Sequence, residues 1–241
     1  MLSRGSQTRS KRLTILDFLR GVAIICVVVD HAFSWLGVAG GIWHQLTIYS
    51  VVPLFFLAGI TFALSYLRHP PVLTWRNFLP YYWHKVKKLL GAYALGTLVI
   101  LAFQPSGITW SGYWYNFFTF PAQFYFIAIY MELLLIAPFL LQLWSKIKTT
   151  VSRAQQPLLY FIVSLLLGVF SLIGAKILIF PPPIWLPAQQ LFGGLELFVF
   201  GMGTLAGFAY AQGWKLQPKQ KWVLFIASVA ALLLIIGTPI H

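Results

Sequence analysis

Seven apolar runs, each about as long as a membrane-spanning helix, occupy most of this 241-residue chain. A helix needs roughly 20 mostly apolar residues to cross the hydrocarbon core of a bilayer. Charged residues make up only 9% of the chain, against about 25% in soluble domains, so there is too little polar surface to cover a fold in water. The sequence therefore predicts an all-α, polytopic integral membrane helix bundle. The predicted spans are residues 13–37, 47–67, 86–103, 122–144, 158–180, 190–211 and 222–238.

The basic residues are distributed unevenly between the loops, and this pattern predicts the orientation. They crowd the N-terminal tail and the second, fourth and sixth loops, whereas the first, third and fifth loops contain neither Lys nor Arg. Positive charges concentrate on the cytoplasmic side of membrane proteins. We therefore expect a multi-pass protein of the cell membrane with a cytoplasmic N-terminus and an external C-terminus. Residues 1–12 are predicted to be a basic cytoplasmic tail, and residues 13–241 one transmembrane domain.

The net charge raises the possibility of a nucleic-acid partner, which the distribution of that charge argues against. Lys and Arg number 17 against four Asp and Glu, which gives a formal charge of +13. A nucleic-acid-binding protein would collect its basic residues on a soluble module, and none is visible here. We therefore expect the lipid bilayer as a partner and no nucleic acid. The single cysteine, Cys26, allows no intrachain disulfide. No Cys and His residues have metal-ligand spacing, so no metal site is predicted.

The first apolar run carries four ionisable side chains: Asp17, Arg20, Asp30 and His31. Such groups are unfavourable inside a membrane and are therefore candidates for function. At about 100° per residue, the step from Arg20 to His31 returns to within about 20° of the same helix face, over a rise of about 16 Å. Asp17 lies on the same face, at the spacing of a helical ion pair with Arg20, whereas Asp30 points elsewhere. We call the face that carries Asp17, Arg20 and His31 the stripe. One face of this helix therefore carries a cation toward the cytoplasmic side of the membrane and an imidazole toward the outer side.

Chemistry alone leaves two interpretations of these side chains open. In the first, Asp17 and Arg20 form a pair that stabilises the bundle, and His31 is a buried histidine with a satisfied hydrogen bond. In the second, the stripe is functional, since imidazole titrates near neutral pH. Glu132 lies about eleven residues into the fourth span, near its middle. Two interpretations are open for Glu132 as well: it is a catalytic proton carrier, or it is a structural partner of Arg20.

The opening of the chain resembles the first helix of the membrane-bound acyltransferase-3 family. The run Leu-Asp17-Phe-Leu-Arg20-Gly21, followed by Asp30-His31, is similar to the family's signature, in which ten residues separate an Arg from a His. It also resembles the Asp-x-x-Arg-Gly opening of related heparan-α-glucosaminide N-acetyltransferase-like proteins. Four later segments resemble the family in the same order along the chain. They are residues 52–60, 83–90, 124–138 and 197–202.

Some positions depart from the family's pattern. Ala58 replaces a usual Ser, and Gly91 stands near a usual proline. Members of the family usually have about ten spans, whereas this chain ends after the seventh predicted one. Three interpretations of that difference are open: a short member, a truncated product, or a relative that keeps the fold without the activity.

The resemblance implies transfer of an acyl group, often acetyl, from cytoplasmic acyl-CoA to a hydroxyl or amine of an extracytoplasmic carbohydrate. Such a reaction would O-acetylate a polysaccharide, with acetyl-CoA as donor substrate and no tightly bound cofactor. His31 would be the general base for the acceptor hydroxyl. Arg20 would contact the phosphate or thioester region of the donor and would be held by Asp17. Asp30, as a partner that orients His31, and Glu132, as a proton carrier, complete the predicted catalytic set.

Two loops supply candidate binding surfaces. The basic second loop is predicted to bind the 3′-phospho-ADP of CoA, and Arg20 is predicted to bind the same donor. The alternative is that these basic residues set the membrane topology and attract anionic lipid. Its residues are Arg68, Arg76, Lys85, Lys87 and Lys88. The aromatic third loop is predicted to stack on sugar rings of the acceptor, or else to lie in the Trp and Tyr belt at the membrane interface. Its residues are Trp110, Tyr113, Trp114 and Tyr115.

Two other classes of membrane protein are alternatives. A transporter or exporter would use the charged stripe of the first span together with Glu132 as a proton or substrate pathway. Transporters often show paired halves with interrupted helices, and the sequence shows no such symmetry. A seven-span receptor is disfavoured because such receptors generally place the N-terminus outside, whereas this charge pattern places it inside.

Overall fold

The described part of the computed structural model comprises residues 14–35, 51–68, 75–102, 109–119, 125–177 and 195–213. All regular secondary structure in these ranges is helical, which confirms the predicted all-α class for this part of the chain. The helices are α1 (Thr14–Trp35), α2 (Val51–Arg68), α3 (Trp75–Ala102), α4 (Trp110–Thr119), α5 (Tyr125–Thr150), α6 (Gln156–Ile177) and α7 (Leu195–Ala211).

Four helices coincide with predicted spans to within about five residues at each end. These are α1, α2, α6 and α7. The helix α7 stops where Gly213, with a φ of 73°, adopts the left-handed conformation that ends many helices. The predicted tail, residues 1–12, and the seventh predicted span, residues 222–238, lie outside the described residues.

Two boundaries and one additional helix differ from the sequence prediction. The helix α3 begins at Trp75, eleven residues before the predicted third span, because charged residues end an apolar run without ending a helix. For the same reason α5 continues six residues beyond its predicted span, to Thr150. The predicted third loop contains α4. Thr109 caps this helix, since its Oγ1 accepts a hydrogen bond of 3.1 Å from the backbone N–H of Gly112.

Several helices have the apolar character that a bilayer requires. Within the described residues, two segments are long and apolar enough to cross a membrane: α2 and residues 129–150 of α5. The helix α6 exposes large apolar side chains at a spacing of three and four residues, which places them on one broad face. An exposed apolar face of this extent is unfavourable in water and suits contact with lipid. Its residues are Leu158, Phe161, Ile162, Leu165, Leu166, Val169, Phe170 and Ile173.

The chain divides into two compact units. The first contains α1, and the second contains the chain from Phe55 to α7. In the second unit, α2 and α7 approach until their backbones touch. A Cβ atom at Gly203 would overlap the carbonyl oxygen of Phe56, and one at Gly207 would lie 2.7 Å from the carbonyl oxygen of Ile60. Small residues allow such close helix packing, which membrane bundles use widely.

A buried Trp joins α5 to α6 and α7 in the same unit. The indole Nε1 of Trp144 donates a hydrogen bond of 3.1 Å to Oγ1 of Thr204, which donates in turn to the carbonyl oxygen of Gly201 at 2.7 Å. The hydroxyl of Tyr160 donates to the carbonyl oxygen of Trp144 at 3.3 Å. Trp144, Tyr160 and Thr204 are buried. Because their polar atoms are all hydrogen-bonded, these side chains can fill the core without an unsatisfied donor.

Candidate functional site

The helix α1 carries most of the predicted catalytic residues. It runs without a break through Arg20 and His31, so the helical arithmetic that puts them on one face applies. The predicted ion pair is present: Nη1 of Arg20 lies 3.8 Å from Oδ1 of Asp17, three residues earlier. Asp30 is half-buried. The side chain of His31 lies outside the described part of the structure.

The five basic residues predicted to bind phosphate lie at the end of α2 and along α3. Arg68 is the last residue of α2 and is exposed. Arg76, in the first turn of α3, and Lys87 share an exposed face of that helix, because eleven residues complete about three turns. Lys88 is also exposed. Lys85 differs: it is half-buried, and its ammonium lies 5.7 Å from the centre of the Tyr81 ring.

The predicted aromatic surface belongs largely to α4. The rings of Trp110 and Tyr113 meet edge to face at 6.3 Å, and those of Tyr113 and Trp114 at 5.3 Å. The hydroxyl of Tyr113 reaches the carbonyl oxygen of Ala94 in α3, at 3.4 Å. The indoles face outward, with 79% of Trp110 and 47% of Trp114 exposed. The side chain of Tyr115 is not among those described.

Glu132 lies on α5 close to α3. It is half-buried, and its carboxylate is near enough to the Tyr82 hydroxyl for the two groups to interact electrostatically. That hydroxyl donates a hydrogen bond of 3.1 Å to the carbonyl oxygen of Met131. Sequence reasoning missed Tyr82 because the predicted third span began only at Val86. A helical-periodicity test that ignored the lysines would have extended α3 far enough to include it.

The chemistry available in the described residues is that of charge, proton transfer and aromatic contact. No three His, Cys, Asp or Glu side chains of the described ranges come together in a way that could hold a metal ion. The Asp17–Arg20 pair offers a fixed guanidinium, which suits phosphate and developing negative charge. The exposed indoles of α4 offer flat apolar faces.

Comparison with known proteins assigns the chain to a family. It matches the sequence model of the acyltransferase-3 family, described as an acyltransferase domain, over residues 13–241. No curated protein and no solved structure matches the chain. The family match begins at the N-terminal edge of α1 and leaves out only the first twelve residues. The chain therefore belongs to the acyltransferase-3 family of membrane acyltransferases.

Proposed function

We propose that this protein transfers an acyl group, often acetyl, from cytoplasmic acyl-CoA to a hydroxyl or amine of an extracytoplasmic carbohydrate. One observation carries the proposal: Arg20 and His31 lie on a single unbroken helix of a chain that matches the acyltransferase-3 family from residue 13 onward. The donor and the acceptor belong to opposite sides of the bilayer. A helix that carries a cation near its inner end and an imidazole toward its outer end is suited to a reaction between them.

In the proposed reaction the acceptor hydroxyl attacks the carbonyl carbon of the thioester. His31 takes the hydroxyl proton as the new C–O bond forms, and the C–S bond to CoA breaks. The imidazolium then returns that proton to the departing thiolate, so His31 ends in its original state. Arg20 binds the phosphate region of the donor on the cytoplasmic side, and Asp17 holds the guanidinium in place.

The exposed basic side chains of α2 and α3 are proposed to bind the donor's 3′-phospho-ADP. Arg76 and Lys87 are the strongest candidates because they share one exposed helix face. Arg68 and Lys88 add positive charge in the same stretch of the chain. For the acceptor, the outward-facing indoles of α4 are proposed to stack on the sugar rings.

The membrane arrangement proposed for the reaction has seven spans and a cytoplasmic N-terminus. The alternation of basic and uncharged loops supports it. In this arrangement the protein is a multi-pass component of the cell membrane. The basic loops face the cytoplasmic pool of acyl-CoA, and α4 faces the carbohydrate.

Binding of the donor tests the proposal before any acceptor is known. We expect acetyl-CoA at about 100 times its Kd to stabilise the purified protein by about 2.7 kcal/mol, measured as a rise in melting temperature in detergent. Arg20→Ala should abolish that rise because the donor loses its cationic contact. Arg153→Ala is the matched control, since Arg153 is exposed in the turn between α5 and α6. A wild-type protein that acetyl-CoA does not stabilise, or an Arg20→Ala variant that responds like the wild type, would count against the proposal.

A further inference from the structure

Five aromatic side chains from four helices form one connected cluster in the second unit. Tyr66 stacks on Phe62 within α2, with ring centres 6.0 Å apart. The ring of Phe200 in α7 lies 6.5 Å from that of Phe62 and 6.4 Å from that of Tyr130 in α5. The hydroxyl of Tyr81 in α3 lies within electrostatic range of those of Tyr66 and Tyr130. We call these five residues the aromatic cluster.

The aromatic cluster is buried on its apolar side and accessible on its polar side. Phe62 is only 6% exposed and Phe200 is completely buried. Tyr66, Tyr81 and Tyr130 are half-buried. A group that reaches the three phenols therefore meets the two Phe rings behind them. A few polar groups in front of an apolar base are typical of small-molecule binding sites.

The polar side of the cluster is close in the chain to the basic residues proposed to bind the donor's 3′-phospho-ADP. Tyr66 precedes Arg68 by two residues, and Tyr81 follows Arg76 by five. A further cation is in contact with the cluster, since the Lys85 ammonium lies 5.7 Å from the centre of the Tyr81 ring. The pantetheine arm of CoA extends from the diphosphate. An arm that leaves these cations would therefore reach the tyrosines next.

The order of chemical groups in the cluster matches the order along the acyl-pantetheine arm. The arm carries two amides and a thioester carbonyl, which can hydrogen-bond to phenol hydroxyls. It ends in the acyl chain, which is apolar and suits contact with buried Phe rings. A carbohydrate has no apolar end of this kind. The two buried rings therefore favour the donor over the acceptor as the ligand.

We infer that the aromatic cluster binds the acyl-pantetheine arm of the donor, with the three tyrosines along the arm and Phe62 and Phe200 limiting the length of the acyl chain. The inference rests on the proposed function, in which acyl-CoA is the donor. A longer chain would have to displace a Phe ring that is packed against its neighbours, and overpacking of this kind is destabilising. The cluster therefore selects a short acyl group such as acetyl.

Removal of a single hydroxyl tests the contact with the arm. Tyr81→Phe should weaken the binding of acetyl-CoA to the purified protein in detergent by about 3- to 10-fold, the usual range for one hydrogen bond. Binding of adenosine 3′,5′-bisphosphate, which lacks the arm, should not change. Arg76→Ala should weaken the binding of both ligands. Tyr210→Phe is the matched control, since Tyr210 is exposed on α7. Equal weakening of both ligands by Tyr81→Phe, or no weakening of either, would overturn the inference.

The limit on chain length is tested with Phe62→Leu and Phe200→Leu. The wild type should bind acetyl-CoA at least about tenfold more tightly than hexanoyl-CoA, and each variant should reduce that ratio to less than about threefold. Phe161→Leu is the control, since Phe161 is exposed on α6. An unchanged ratio in both variants, or a wild type that binds the two thioesters equally, would overturn the inference.

The same measurements separate this inference from the proposed function. A wild-type protein that binds neither thioester contradicts the proposed donor itself. A wild-type protein that binds acetyl-CoA, with Tyr81→Phe and the Phe variants behaving like it, contradicts the inference alone. If the Phe variants fail to fold, the comparison of the two ligands in Tyr81→Phe still decides whether the cluster binds the arm.

Discussion

His31→Ala is expected to slow acyl transfer by about 10²- to 10⁴-fold, the range that a positioned general base contributes. In the proposed reaction no other group on the outer part of the α1 stripe can accept the proton of the acceptor hydroxyl. The substitution leaves Arg20 and Asp17 in place, so binding of acetyl-CoA should persist. The measurement is the initial rate of label transfer from acetyl-CoA, together with the thermal stabilisation by acetyl-CoA of the same preparation.

His84→Ala is the matched control for that loss. His84 is exposed on α3 and has no assigned role, so its removal should leave the rate within a factor of about two of wild type, as is usual for surface substitutions. A His31→Ala variant that keeps the wild-type rate would remove the imidazole from the mechanism. A His84→Ala variant whose rate of acyl transfer falls as far as that of His31→Ala would show instead that the slower transfer is not specific to the α1 stripe.

Gly203→Ala is expected to destabilise the protein by roughly 3 kcal/mol, at the upper end of the usual range for overpacked cores. The added methyl would overlap the backbone carbonyl of Phe56, which, unlike the end of a flexible side chain, cannot turn aside. To accommodate it, α2 and α7 would have to separate along their contact. Gly207→Ala should act similarly, since its Cβ would lie 2.8 Å from that of Ala63. Thermal unfolding of the purified variants in detergent measures the effect.

Gly91→Ala separates this steric effect from the general effect of replacing glycine. A Cβ atom at Gly91, inside α3, would meet nothing within 4 Å. Alanine is the better helix former, so this variant should be as stable as the wild type or gain about 0.5–1 kcal/mol. Equal melting temperatures for Gly203→Ala and the wild type would contradict the close contact between α2 and α7.

Features that depend on neighbours along the chain could be predicted from the sequence. The helices α1, α2, α6 and α7 follow from apolar runs of membrane-spanning length. The Asp17–Arg20 pair follows from spacing alone, because residues three apart on a helix are always close. The family could be identified for the same reason, since its signature is a local pattern within α1.

Features that depend on contacts between helices could not be predicted. The rule that locates spans counts apolar residues, so it began the third span too late, among the lysines of α3. It therefore missed the packing of Tyr82 on α5. It is also silent on which residues of α3 and α5 come into contact, such as Phe78 and Phe139. The helix α4 was assigned to a loop because it is too short to span a membrane. Thr109, a residue type that is favoured at helix N-caps, was a local signal that could have revealed it.

Label transfer tests most directly the proposal that this chain moves acyl groups from acyl-CoA to an extracytoplasmic carbohydrate. Membranes containing the wild-type protein would receive acetyl-CoA radiolabelled in the acetyl group, with the cell's surface glycans present, and the label in the glycans would be counted. We predict label in the glycans with the wild type and only background with His31→Ala or with membranes that lack the protein. Glycans that stay unlabelled with the wild-type protein would contradict the account.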